Sequence, residues 1–226
     1  MKFVVFGLGN FGAALGQQLV DLGHEVIGVD KSLELVNKYN SVLTHTIMLD
    51  ATHQEGIRQL PLHEIDAAIV GIGENEGVTI MVTALLKQMG VKRIVCRVTS
   101  PLQQIVLEAM NIEEFVYPEA SSAERLALKL DLPGVSNSYR FIDDYRLLEV
   151  KVPERYVGKT VEDMRFAERY RLVLVTIVRS IKEKNIFGGH SIVPAVMGPV
   201  KPKTTLLPED RLLIFGTTSD IKAFID

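Results

Sequence analysis

Cysteine is nearly absent: Cys96 is the single one in 226 residues, which excludes an intrachain disulfide framework and a cysteine-rich zinc site. Basic charge is not in excess either. Lys and Arg number 25 against 28 Asp and Glu, a net charge of −3, so nothing points to nucleic acid or an anionic membrane as partner. No run reaches ~18 consecutive apolar residues, and no membrane-spanning helix is expected. His24, His45, His53, His63 and His190 show no metal-ligand spacing and read as structural or surface residues. Internal repeats and low-complexity segments are missing as well. Phe3 to Val20 carries no charge, yet its four glycines with Asn10, Gln17 and Gln18 make a poor signal-peptide core. The expectation is a cytosolic globular protein of one or two domains, with 47% apolar and 23% charged residues.

What is present is concentrated in the first thirty residues. Lys2 to Phe6 is a short Val/Phe-rich run that reads as a buried strand, and Gly7-Leu8-Gly9-Asn10-Phe11-Gly12 follows at once. From Ala13 the apolar spacing becomes helical, with Leu15, Leu19 and Leu22 on one face and Gly23 as the stop. Glu25 to Val29 is a second strand that closes on Asp30. A GxGxxG between strand and helix has a physical reading. Gly7 allows the tight turn, Gly9 lets a pyrophosphate approach the backbone, and Gly12 permits close packing of helix on strand. A diphosphate would sit on the free N–H groups of the helix N-terminus. Asp30, placed 18 residues after Gly12, would accept from both hydroxyls of an adenosine ribose.

Strands and helices keep alternating afterwards. Strands are expected at Leu43–Leu49, Asp66–Gly71, Arg93–Val98 and Glu114–Tyr117. Helices are expected at Leu33–Tyr39, Glu55–Leu60 and over a stripe of Val78, Met81, Val82, Leu85 and Met89. Ser100-Pro101-Leu102-Gln103 and Ser121-Ser122-Ala123-Glu124 read as capping boxes opening two further helices, to Met110 and through Leu130. Alternation of this kind predicts an α/β fold: a Rossmann-like, doubly wound parallel sheet with helices on both faces and ligands at its carboxyl edge. Cys96, inside an apolar strand, reads as a small buried hydrophobe.

After Asp131-Leu132-Pro133-Gly134 the style changes. Residues 135–144 are polar and turn-like, placing a domain boundary at 134/135. The remainder, 135–226, reads as a small α+β domain. Its expected strands are Arg146–Val152, Leu172–Val178 and Arg211–Phe215; a helix is expected near Val161–Glu168, an uncharged stretch at Ile186–Val200, and a terminal helix from Ser219.

The segments FGLGNFG, VIGVD, LDAT, AIVGIGENE, RIVCRV and YPEASS, with Gly158-Lys159-Thr160 and the run Leu206 to Gly216, carry a resemblance. In order and spacing the chain resembles the RCK (KTN) regulatory subunits of Trk/Ktr potassium-uptake systems, over essentially its whole length. The resemblance implies residues 1–134 as the nucleotide-binding RCK-N domain with its crossover helix, and 135–226 as an RCK-C (TrkA-C-like) domain. It implies no catalysis. Instead it implies a cytoplasmic homodimer or larger ring, attached to the membrane only through a potassium transporter or channel subunit that it gates.

Residue by residue, the resemblance assigns the phosphate turn to Gly7, Gly9, Asn10, Phe11 and Gly12, and the ribose acceptor to Asp30 with Lys31 beside it. It assigns the adenine flank to Asp50, Ala51 and Thr52, and the loop over the nucleotide to Gly71, Ile72, Gly73 and Glu74. Arg97 is placed near the phosphates, and Glu119 beside a divalent or monovalent cation held at the nucleotide. Each has a plainer alternative: Asp50 as a helix cap, Arg97 as the partner of a neighbouring loop, Glu119 as a helix N-terminal charge. ATP-responsive members commonly carry Arg inside the glycine turn, whereas this chain has Asn10. A neutral amide makes no charge-assisted pair with a γ-phosphate, which leaves NAD(H), ADP and ATP as candidate ligands. The competing class is a nicotinamide-dependent oxidoreductase. Against it, the sequence has no Tyr-x-x-x-Lys pair, no histidine at the tips of the fourth and fifth strands, and too small a second domain for a usual substrate domain.

Overall fold

The computed structural model describes residues 1–184 and 190–226; of the expected stretch Ile186–Val200, residues 186–189 lie outside the described residues. The chain divides into two compact units, Met1–Ser121 and Ser122–Asp226.

In the first unit β1 (Lys2–Phe6), α1 (Asn10–Asp21), β2 (Glu25–Asp30), α2 (Leu33–Tyr39), β3 (His45–Met48) and α3 (Gln54–Ile57) are followed by β4 (Ala67–Val70), α4 (Glu76–Gln88), β5 (Ile94–Arg97), α5 (Pro101–Ala109) and β6 (Glu114–Val116). The strands form one parallel sheet in the order β3-β2-β1-β4-β5-β6. Side chains alternate across it, so each strand feeds two cores. Phe3, Val5, Val26, Ala67 and Ile69 pack with Leu15, Leu19 and Leu35 of α1 and α2. Val4, Phe6, Ile27, Val29, Ala68 and Val70 face Ile57, Val82, Leu86 and Leu107 of α3, α4 and α5. This is the doubly wound sheet that the alternation predicts.

Several local expectations are corrected. Leu22 caps the C-terminus of α1 and is exposed rather than on its packing face. In α4 the fully buried residues are Thr79, Val82, Thr83 and Leu86, while Met81 of the expected stripe is exposed. Ser100 does accept from the Gln103 N–H (3.2 Å), but the Gln103 side-chain oxygen turns to the N–H of Thr99 (2.8 Å), so only half of that capping box forms. The Ser121 box does not open a helix. There α6 runs Pro118–Asp131, and the Ser121 N–H already donates to the Tyr117 carbonyl (2.9 Å) as an interior helical bond.

The units divide at Ser121/Ser122 and not at 134/135, because Leu128 and Leu132 of α6 belong to the second core. The second unit continues with β7 (Val135–Arg140), β8 (Tyr145–Lys151), α7 (Val161–Met164), α8 (Phe166–Tyr170), β9 (Val173–Lys184), β10 (His190–Val196), β11 (Arg211–Thr217) and α9 (Thr218–Ile225). Its strands form an antiparallel sheet ordered β10-β9-β11-β8-β7. Leu148, Val150, Ile177, Leu212 and Ile214 bury one face of it against Met164, Phe166, Ile221 and Phe224. The polar segment expected as a turn-like boundary is strand β7 over most of its length. Asp210, 1% exposed, accepts from Arg179 through Nε (2.7 Å) and Nη2 (2.6 Å), and from the Leu207 N–H (2.8 Å). This pair, buried at Asp210 and half-buried at Arg179, ties the loop before β11 to β9.

Candidate functional site

In the first unit the chain leaves β1 toward β2 on one side and returns through β4 on the other, so the carboxyl ends of β1 and β4 flank the topological switch point. Gly7 turns the chain out of β1 at φ +92°, and its N–H donates to the Val29 carbonyl (2.8 Å). A side chain on Gly12 would run into the Gly7 carbonyl oxygen, so α1 rests its first turn directly on the strand exit. Gly9 precedes α1 in extended backbone and no side chain caps the helix. The first ladder bond is Ala13 N–H to Gly9 carbonyl (3.0 Å), which leaves the earlier N–H groups of the turn to another acceptor. Where a Gly9 Cβ would stand, space is open to 4 Å. The macrodipole makes this end positive.

Asp30 closes β2 beside that turn. One carboxylate oxygen accepts from the Leu8 N–H (2.7 Å) and the other from the Ser32 N–H (2.8 Å). Asp30 therefore fastens the glycine turn to β2, a role that sequence reasoning missed. Each oxygen retains a further lone pair, enough for a diol. Lys31 beside it is exposed. Leu49 N–H donates to the Asp30 carbonyl (2.9 Å), which brings the end of β3 alongside. There Asp50 accepts from the Thr52 N–H (3.0 Å) and hydroxyl (2.7 Å), and these bonds hold its carboxyl below the usual range. Asp50 is thus engaged in a local turn, Ala51 is buried and Thr52 half-buried.

The loop after β4 closes the other flank. Gly71 is buried and its N–H donates to the Phe6 carbonyl (2.8 Å); the Thr79 hydroxyl donates to the Ile72 carbonyl (2.9 Å). Gly73 and the exposed Glu74 lead to Asn75, which caps α4. Arg97, at the end of β5, reaches across. Its Nη1 donates to the Gly71 carbonyl (3.3 Å), its Nη2 pairs with the Glu119 carboxylate, and its guanidinium carbon lies 5.9 Å from the centre of the Phe11 ring. A side chain on Gly73 would meet that guanidinium. The Arg97 Nε is buried and has no hydrogen-bond partner among the described residues. Among these residues no group of three His, Cys, Asp or Glu is placed to hold a metal ion. Cys96, next to Arg97, is buried 3.3 Å from the Thr83 hydroxyl, and burial pushes its thiol up.

The structure thus gathers the glycine turn, Asp30, the Gly71–Gly73 loop and Arg97 at one sheet edge, with Asp50–Thr52 following β3. An uncapped helix N-terminus, open space at Gly9, a fixed carboxylate and the Arg97 guanidinium stand together there.

The chain is 28% identical over 225 residues to Ktr system potassium uptake protein C of Bacillus subtilis (strain 168), covering 99% of this chain and 95% of that protein. Among solved structures it is similar to the GsuK RCK domain, with a TM-score of 0.65 at 14% identity, covering 99% of this chain and 47% of that one. It is also similar to the GsuK channel bound to NAD, with a TM-score of 0.63 at 14% identity over 99% of this chain. This chain spans 38% of that channel chain. No described helix is long and apolar enough to cross a membrane. The TrkA-N domain matches residues 3–118, half of the chain and all but the first residue of the glycine-turn sheet, and the chain belongs to the TrkA-N domain family.

Proposed function

We propose that this chain is a cytoplasmic, nucleotide-sensing regulatory subunit that gates a membrane potassium transporter or channel through a shape change in a homodimer or larger ring. The observation that carries the reading is the uncapped first turn of α1, set between Asp30 and Arg97 at the switch point. A bound adenine nucleotide, NAD(H) or ATP/ADP, supplies negative charge at that turn. The backbone N–H groups from Gly9 to Gly12 would hold its diphosphate, with Asn10 and Phe11 at the rim. Asp30 would take the ribose hydroxyls with Lys31 beside it, Asp50 to Thr52 would flank the base, and Gly71, Ile72, Gly73 and Glu74 would pass over it. Arg97 would answer the remaining phosphate charge. A cation beside the nucleotide, with Glu119 as its ligand, completes the reading. The names of two similar proteins, a potassium uptake protein and an NAD-bound channel, support the transport role and the dinucleotide.

Calorimetric titration with ATP, ADP, NAD and NADH tests the ligand. Asp30→Ala should weaken binding by ~1.5–3 kcal/mol, the loss of charged hydrogen bonds to two hydroxyls. Unchanged isotherms for all four nucleotides would remove Asp30 from the site. NADH consumption with a panel of carbonyl compounds, with no nucleotide-dependent change in scattering, would favour the oxidoreductase.

Assembly is open to a separate measurement. Leu102 and Ile105 of α5, and Leu126 and Leu130 of α6, are exposed apolar residues on helices. Light scattering at micromolar concentration should give at least a dimer, and a species of 25.1 kDa would contradict the ring.

A further inference from the structure

We propose that the open edge of β7 is a docking strip for an extended segment of a partner protein in which acidic and apolar residues alternate. The inference is independent of the nucleotide reading and lies wholly within the second unit. Strand β7 is paired on one side only, to β8. Where the chain turns from β7 to β8, the Phe141 N–H donates to the Tyr145 carbonyl (3.0 Å). Bonded and unbonded residues alternate along an antiparallel pair, so Tyr139 also bonds to β8. Ser138 and Arg140 then turn their N–H and C=O groups to the open edge. The opposite edge strand, β10, carries Pro194, which has no N–H to offer; β7 has no proline to guard it.

The two sides of that edge differ in chemistry. Ser138 lies opposite the buried Leu148 and so shares the core side of the sheet with α6, whose Leu128 packs in the same core. There Arg125 and Lys129, one turn apart on α6, line a cavity of about 50 Å3 with Ser136 and Ser138, room for a carboxylate and too little for a nucleotide. Both cations are exposed, and among the described residues neither forms an ion pair; Arg125 donates to the Ser122 hydroxyl (3.4 Å). Arg140 (3.5 Å) and Arg146 (2.9 Å) share a single carboxylate, Glu124 of α6, so two further cations draw on one anion. On the outer side Tyr139, Phe141 and Tyr145 are exposed, the last two packed on Phe215. A strand laid against β7 points successive side chains to opposite faces. Its acidic residues meet Arg125 and Lys129, and its apolar residues meet Tyr139 and Phe141. A second copy paired here would set Arg125, Lys129 and Arg140 against the same cations, which disfavours it.

The test is fluorescence anisotropy of the full chain with two labelled peptides of ten residues, one alternating Glu and Val, the other Lys and Val. The Glu/Val peptide should bind the more tightly. The double variant Arg125→Glu/Lys129→Glu should weaken it about tenfold, two exposed ion pairs each turned repulsive, with the wild-type urea midpoint retained. The amides of Ser138 and Arg140 should exchange more slowly once the peptide binds, whereas those of Tyr139 and Phe141 are slow already. Equal affinity for the two peptides, or binding that the double variant leaves unchanged, would overturn the proposal. Protection of Ser138 and Arg140 that needs no peptide and grows with protein concentration would overturn it in favour of a second copy at this edge. Binding of neither peptide would overturn it as well, and leave the cations as guards against edge pairing.

Discussion

Replacing Gly12 by alanine should abolish measurable nucleotide binding and destabilise the first unit by ~3 kcal/mol or more. The added methyl would meet the Gly7 carbonyl oxygen, with the Gly7 carbonyl carbon at 3.1 Å and a Val5 methyl at 3.2 Å. No flexible side chain stands there to move aside. The obstruction is backbone, and Gly7 is itself fixed at positive φ and bonded to Val29. Relief needs α1 to lift away from β1, which carries the first-turn N–H groups off the turn and separates Leu15 and Leu19 from their core. Urea unfolding and nucleotide titration of the same preparation measure both parts. Wild-type stability with retained binding would show that the turn relaxes in some cheaper way.

Asp210→Ala should cost the second unit ~2–3 kcal/mol, the upper part of the range for hydrogen bonds to charged groups, since the stranded Arg179 keeps partial access to water. Three donors converge on this carboxylate, two from Arg179 and one from the Leu207 N–H, at 2.6–2.8 Å. Truncation leaves the Arg179 charge, 22% exposed in its side chain, with the Thr205 carbonyl (2.9 Å) as its hydrogen-bond partner among the described residues. The double variant Arg179→Met/Asp210→Leu should recover a good part of the loss, because no charge is then left unpaired. If the single variant unfolds at the wild-type denaturant midpoint, the pair does not hold the loop before β11.

How much of this was legible in the sequence depends on the range of the interaction. The glycine turn, the alternating strands and Asp30 at the end of β2 follow from local spacing, and they appear where the spacing puts them. Strand β7 was hidden because Ser136, Asn137, Ser138 and Arg140 carry no apolar alternation; it is an edge strand paired on one side to β8. The extension of β9 from the expected end at Val178 to Lys184 was hidden for the same reason, since Arg179, Ser180, Lys182 and Glu183 are polar. The start of α6 was missed because Pro118 at a first helical position was outcompeted by a more familiar capping pattern three residues on. In the candidate site the residue types were legible, but their pairings were not. Nothing in the spacing says that Arg97 meets Glu119, that Asp30 holds Leu8, or that the Gln103 oxygen goes to Thr99 instead of Ser100. Such contacts are decided by tertiary distance.

The position of β11 in its sheet has a consequence for how the chain is made. Hairpin neighbours β7 and β8, and likewise β9 and β10, are close in sequence and can zip up as soon as they leave the ribosome. Yet β8 and β9 never pair with each other: β11, which begins 38 residues after β9 begins, lies between them and bonds to both. Until it arrives, two half-sheets wait with bare inner edges, each a template for the wrong strand of a neighbouring nascent chain. Insertion of residues 211–217 is therefore the one step that covers both inner edges at once.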